Sequence, residues 1–255
     1  AALDAVDPAI RLYERRLRSA QRLSLRRTTL LLANSRFTEA EMRAGFGVES
    51  TVCHYGVDGG VFKPMPGRQK QDFVVSVGEM SPRKGFDFIV ESLGRIPLGE
   101  RPQLVLACNR VDPLERQYVE SLAEARGVDL QVRTNLDAAD LSALYNEARL
   151  CVYAPVMEPF GLVPLEAMSC GTPVVGVREG GVSESVVHEC TGLLVERDPV
   201  QFAAAVRRLL SNPALAREYG ENGREVVLNN WTWEQSAAAM EQHLAKCASV
   251  SRAAG

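Results

Sequence analysis

Between residues 73 and 195 the chain repeats one pattern: a short apolar run, a helical stretch, another apolar run. The runs are "FVVSVGEM" (73–80), "QLVLAC" (103–108), "DLQVR" (129–133), "LCVYAP" (150–155), "PVVGV" (173–177) and "GLLV" (192–195). Most are continuous rather than alternating, as expected for strands covered on both faces. Helical patterns fall at 85–95, 113–126, 138–148, 162–170 and 183–188, and further helices are expected over 199–211, 213–229 and 232–247. Strand–helix–strand connections make the joined strands parallel. The expected class is therefore α/β, a parallel sheet with helices on both faces. Ligands of such sheets bind outside the carboxyl ends of the strands.

The amino-terminal part is less regular. Residues 8–27 place Ile10, Leu12, Leu17 and Leu23 at helical spacing among many arginines, which predicts an amphipathic helix with a basic face. "TLLLANS" (29–35) and "TVCHYGVD" (51–58) read as strands, with a helix over 38–47 between them. Thr38 and Glu41 have the spacing of a capping box, and Gly45 or Gly47 would stop that helix. The Gly/Pro-rich stretch 59–72 reads as a linker and domain boundary.

Composition excludes several classes. Hydrophobic residues make up 46% of the 255 and charged residues 24%, with a net charge of −3. That balance gives no reason to invoke nucleic acid or an anionic membrane. No apolar run reaches transmembrane length. The six cysteines, at 53, 108, 151, 170, 190 and 247, form no C-x-x-C pair and read as small buried hydrophobes of a reducing compartment. The chain opens on Ala, and its first residues resemble the interior of a longer protein. A fragment, a processed chain or one half of a split enzyme is expected.

Residues 158–176, "EPFGLVPLEAMSCGTPVVG", carry the chemistry. They run from the end of the 150–155 strand into a helix, whose start is marked by Gly161 and Pro164 and whose end is marked by Gly171. The first N–H groups of that helix, from Phe160, Gly161, Leu162 and Val163, favour an anion beyond the strand end. Glu166, in the second turn, tilts toward the same end, where a carboxylate can accept from the vicinal diol of a ribose. Glu158 lies in the loop across the cleft. A nucleoside diphosphate with a polar group at its far end answers all of these features. Two further strand ends contribute. "GEMSPRKGF" (78–86) places Arg83 and Lys84 where they would neutralise a diphosphate, and "REGGVSE" (178–184) offers Gly180 and Gly181 for a turn with open N–H groups. Taken singly, each feature is more often a solvated glutamate, an exposed loop cation or an ordinary turn. Their convergence carries the reading.

"SPRKG", "EPFGLVPLEAMSCGTPVVG", "EGGVSE" and "TGLLVERD" occur in the order and spacing of the retaining GT-B glycosyltransferases of family 4, which the chain resembles from about residue 29 to Trp233. "ANSRFTEAEM…GVDGGVFKP" is similar to that family's junction between two Rossmann-like domains. The resemblance implies a remnant of the amino-terminal domain and hinge over 1–62, a nucleotide-sugar-binding Rossmann-like domain over 63–230, and a carboxy-terminal helix, 231–255, crossing back to the amino-terminal domain. It implies transfer of a sugar, with retention, from a nucleotide-sugar such as a UDP- or GDP-sugar to a hydroxyl acceptor. Glu158 would contact the sugar hydroxyls and Glu166 the ribose. Phe160, Gly161 and Leu162 would hold the phosphates, and Lys84 the leaving diphosphate. No cofactor or metal is implied, and the chain has no Asp-x-Asp pair. The implied location is the cytoplasm or the inner face of a membrane, and the implied partner is an amino-terminal GT-B half.

Two departures stand out. Glu79 follows Gly78 where the family usually carries a basic residue, so Glu79 must turn away or Arg83 must supply the positive charge. Most of the amino-terminal domain is absent, and no histidine of the chain (His54, His188 or His243) takes a catalytic role from the resemblance. The alternatives are a nucleotide-sugar epimerase of the same architecture, a binding module that needs a partner chain, and a nicotinamide dehydrogenase. The last is disfavoured because no G-x-G-x-x-G follows any strand.

Overall fold

A computed structural model describes residues 8–253. The elements in chain order are α1 (Pro8–Arg26), β1 (Leu32–Ala33), α2 (Arg36–Phe46), β2 (Thr51–Val52), β3 (Phe73–Val77), α3 (Phe86–Leu93), β4 (Gln103–Ala107), α4 (Pro113–Arg126), β5 (Leu130–Arg133), α5 (Ala138–Glu147), β6 (Leu150–Tyr153), α6 (Leu162–Ser169), β7 (Val174–Val177), α7 (Val182–Ser185), β8 (Gly192–Val195), α8 (Pro199–Leu210), α9 (Pro213–Asn230) and α10 (Trp233–Ala253).

β3 to β8 form one parallel sheet in the order β5-β4-β3-β6-β7-β8. Adjacent residues of each strand feed opposite cores. Val74, Leu104, Leu106, Val152 and Val175 pack with Phe86, Ile89 and Phe202 on one face. Val75, Val105, Cys151 and Val174 pack with Leu144, Tyr145 and Leu165 on the other. Each such side chain contributes about 1.5–3 kcal/mol on burial. The continuous apolar runs of β3, β4, β6, β7 and β8 therefore follow from a sheet covered on both faces, whereas the edge strand β5 is only partly buried, with Gln131 exposed.

The backbone divides into two compact units, one of residues up to His54 together with those from Ala238 onward, the other Tyr55–Ala237. The linker expected at 59–72 packs within the second unit. Asn146 of α5 accepts from Met65 N–H at 2.8 Å and donates to the Lys63 carbonyl at 2.9 Å, and Gln71 N–H donates to Glu147 O at 2.7 Å.

In the first unit the long strands expected at 29–35 and 51–58 shrink to two residues each, paired Leu32 with Thr51 and Ala33 with Val52. A run is a strand only where a neighbour completes its ladder, and among the described residues the two runs pair with each other only there, while Val57 makes one isolated bridge to Thr232. The helix cap also differs from expectation. Ser35, extended at φ −155°, is the N-cap and accepts from Thr38 N–H, so Thr38 lies inside the first turn. Gly47 ends the helix in the left-handed region. Trp231, expected within the last helix, instead caps α9, and α10 starts at Trp233.

Candidate active site

β3 and β6 lie side by side at the sheet centre, and the strand order runs outward from them in both directions. This is the point where a parallel sheet opens a ligand crevice at its carboxyl edge. A one-turn 3-10 segment, Pro82–Lys84, follows β3, and the 154–161 loop follows β6. Their residues meet: Lys84 Nζ lies 2.7 Å from Glu158 Oε2, with side-chain exposures of 24% and 21%. The loops are also joined through the backbone, Val156 N–H donating to the Arg83 carbonyl at 2.8 Å. The Arg83 side chain itself is exposed.

The same loop is stapled from β8. Arg197 donates to the carbonyls of Ala154 (3.1 Å) and Pro155 (2.8 Å) and makes a bidentate pair with Glu179 beyond β7, each bond 2.8 Å. The Arg197 hydrogen bonds hold the Glu179 carboxyl below the ordinary glutamate value.

Gly161 caps α6 at φ +85°. A side chain there would be strained, and its Cβ would lie 3.3 Å from the Tyr153 ring and 3.4 Å from Val182. Phe160 is anchored by its ring, edge-on to Tyr55 (5.6 Å) and tilted against Trp231 (5.7 Å). The opening N–H groups of α6, at Leu162 and Val163, have no carbonyl four residues back within the helix.

Glu166 sits in the second turn, where the Tyr145 hydroxyl donates to its Oε2 at 2.8 Å. Burial raises the Glu166 carboxyl above its usual value, and the tyrosine bond opposes that rise. Burial, and next the neighbouring Glu166 charge, push the Tyr145 hydroxyl well above the usual phenol value. The pair can thus present one fixed carboxylate oxygen while the other stays available to a ligand.

Gly180 and Gly181 carry the β7 exit loop against the β6 loop. Gly181 N–H donates to the Glu158 carbonyl at 2.8 Å, so it is not open to the cleft as expected. Gly180 is left-handed at φ +60°, and a Cβ there would fall 2.3 Å from the Glu158 carbonyl oxygen. The glycine pair lets two loops touch. Glu79 turns toward Arg110, at 3.7 Å, rather than toward Arg83.

Beside Glu79 a cavity of about 230 Å³ opens at the ends of β3 and β4, walled by Val77, Ala107, Leu136 and Leu141. Larger cavities lie elsewhere, about 330 Å³ beside Leu150 and Pro173 at the strands' amino ends and about 450 Å³ beside Asp87 and Tyr118. None of these three cavities is lined by Glu158 or Glu166, so the candidate site rests on the convergence of side chains rather than on cavity size.

The profile of the family described as glycosyl transferases group 1 matches residues 62–226. The chain belongs to the glycosyl transferases group 1 family. Among relatives of this group 1 chain, the alpha-maltose-1-phosphate synthase of Mycolicibacterium smegmatis is 32% identical over 206 residues, which cover 75% of this chain and 53% of the relative. The MMP alpha-(1->4)-mannosyltransferase of Mycolicibacterium hassiacum is 28% identical over 86% of this chain and 55% of its own. The chain thus spans about half the length of these relatives. The sucrose-phosphate synthase structure from Thermosynechococcus elongatus superposes with a TM-score of 0.82 at 30% identity, over 91% of this chain and 62% of that one. The Anabaena HepE structure in complex with UDP and glucose shares the fold, with a TM-score of 0.79 at 22% identity, over 90% of this chain and 66% of that one. No described helix is long and apolar enough to cross a membrane.

Sequence reasoning missed Tyr145, Arg197 and the Tyr55–Trp231 support of Phe160. Arg197 follows β8, at a carboxyl strand end, and could have been sought there. Nothing in "LSALYNEA" marks Tyr145 as a partner of Glu166.

Proposed function

We propose that the chain is the donor half of a retaining family 4 glycosyltransferase, moving a sugar from a nucleoside-diphosphate sugar to a hydroxyl acceptor. The observation that carries the proposal is the meeting of Lys84 with Glu158 at the sheet's central crevice, beside the start of α6. In this reading Glu166, oriented by Tyr145, accepts from the ribose diol. The backbone at Phe160, Gly161 and Leu162 faces the phosphates, and Glu158 accepts from hydroxyls of the sugar. Lys84 shifts from Glu158 toward the diphosphate and stabilises the charge that develops on it, the kind of stabilisation that contributes most to such transfers. The anomeric C–O bond to the diphosphate breaks, the acceptor oxygen bonds to the same face of that carbon, and the acceptor proton leaves with the phosphate. Gly180 and Arg197 act by holding the Glu158 loop in place.

A second reading has one observation behind it. The chain spans about half the length of its relatives, which favours a nucleotide-sugar-binding chain that transfers only together with an amino-terminal half. Calorimetric titration with a panel of nucleotide-sugars, paired with a product assay, tests both readings. Binding with transfer supports the first, binding without transfer the second, and no binding removes both.

A further inference from the structure

We propose that Glu79 and Arg110 select a guanine base, making GDP-sugars the donor class of this chain. The inference rests on the donor reading above. The cavity of about 230 Å³ at the ends of β3 and β4 is lined by the apolar Val77, Ala107, Leu136 and Leu141, with Glu79, Asn109 and Arg110 as its polar or charged side chains. Asn109 is held in place, since its amide donates to the Leu136 carbonyl at 2.7 Å and accepts from Leu136 N–H at 3.0 Å, which leaves it one N–H and one lone pair. The charged side chains at the cavity are Glu79 and Arg110, 3.7 Å apart, and they carry the reading of a base edge.

Their backbones are fixed although their side chains are exposed. Met80 N–H donates to the Arg110 carbonyl at 2.8 Å and Asp112 N–H to the Met80 carbonyl at 3.2 Å, extending the β3–β4 pairing past both residues. The pair presents a guanidinium donor beside the two acceptor oxygens of a carboxylate. Guanine carries the complement along its pairing edge: the O6 acceptor, then the N1–H and N2–H donors. Uracil offers one N–H between two carbonyls, so a carboxylate that meets it also faces a carbonyl oxygen. Adenine presents the N1 lone pair where guanine presents N1–H, and cytosine repeats the pattern of the protein pair. This placement also explains how a carboxylate is tolerated beside a diphosphate site, because Glu79 is paired with Arg110.

The test is calorimetric titration of the whole 255-residue chain with GDP, UDP and ADP at one ionic strength, repeated for Glu79→Ala and Arg110→Ala. GDP is expected to bind about ten times more tightly than UDP or ADP, or better, the discrimination that a bidentate contact gives. In Glu79→Ala the preference should collapse while the unfolding midpoint stays. In Arg110→Ala it should shrink. Equal or tighter binding of UDP or ADP by the unaltered chain overturns the base assignment but leaves the donor reading standing. So does a GDP preference that survives in Glu79→Ala. A chain that binds none of the three overturns the donor reading, and the base assignment with it.

Discussion

Lys84 Nζ and Glu158 Oε2 stand 2.7 Å apart, linking the turn after β3 to the loop after β6 at the sheet's central crevice. Both side chains are largely shielded, so the pair is more than a screened surface contact. It fixes the Lys84 ammonium against the loop that leads into α6.

Lys84→Ala should weaken binding of nucleoside diphosphates and leave nucleosides unaffected. A charge-assisted contact of this kind is worth about 1.5–3 kcal/mol. Arg83→Ala should do far less, because Arg83 is exposed and Glu79 pairs with Arg110 instead. Calorimetric titration of both variants checks this. Equal losses for nucleoside and diphosphate in Lys84→Ala would place the phosphates elsewhere.

Glu166→Ala should cost nucleotide affinity about 1.5–3 kcal/mol without unfolding the domain. Tyr145→Phe should cost less, since it removes the bond that orients Glu166 rather than the acceptor itself. Dissociation constants for one nucleoside diphosphate, read beside circular dichroism, decide it. An unchanged constant in Glu166→Ala contradicts the ribose assignment.

The pH dependence has a definite sign. Burial raises the folded Glu166 carboxyl above its unfolded value, so the folded state binds more protons across that window and stability falls as pH rises through it. Glu166→Gln should therefore raise the melting temperature at neutral pH, and the gain should vanish below the ordinary glutamate range, where both states are protonated. Glu179 has the opposite sign. Its carboxyl is held low by Arg197, and its stabilisation is lost as pH falls through the glutamate range. Melting curves for Glu166→Gln and Glu179→Gln between pH 4 and 8 should diverge in opposite directions.

Gly180→Ala should reduce stability by about 1–3 kcal/mol through left-handed strain alone, with a further loss from the 2.3 Å approach to the Glu158 carbonyl. Donor affinity should fall with it, because the loop that moves carries Glu158. Wild-type binding in a folded Gly180→Ala protein would separate this turn from the site.

The sheet was legible because its signal is collective. Six apolar runs with helices between them specify parallel pairing whatever any single residue does. The loop motifs were legible because strand ends, Gly161 and Pro164 restrict the backbone locally. The two short strands β1 and β2 were overestimated, since an apolar run does not say whether a neighbour completes its ladder. The α2 cap fell at Ser35 rather than Thr38, a shift of less than one turn between two residues that both cap well. Tyr145, Arg197 and Trp231 act across long stretches of chain, and no local pattern encodes such contacts. The Gly180–Gly181 pair looks in the sequence like a turn with open N–H groups, yet the crowding of the Glu158 loop requires the glycines.

The residues assigned in the proposal would hold a donor, and none of them would hold an acceptor. Orientation of the two reactants supplies about 7–11 kcal/mol in well-positioned transfers. The chain by itself should bind a nucleotide-sugar, hydrolyse it slowly at most, and gain transfer activity when joined to an amino-terminal GT-B half. A product assay over a broad acceptor panel reads the outcome, and robust transfer with retained configuration by these residues alone would show that an acceptor site is present.

The most direct measurement is the position of a nucleoside diphosphate bound to this chain, determined by crystallography. The ribose diol should lie on Glu166 beside Tyr145, with the diphosphate between Lys84 and the first turn of α6. A nucleotide seated in another cavity, or one whose phosphates lie away from Lys84 and Gly161, would contradict the assignment of this crevice as the donor site.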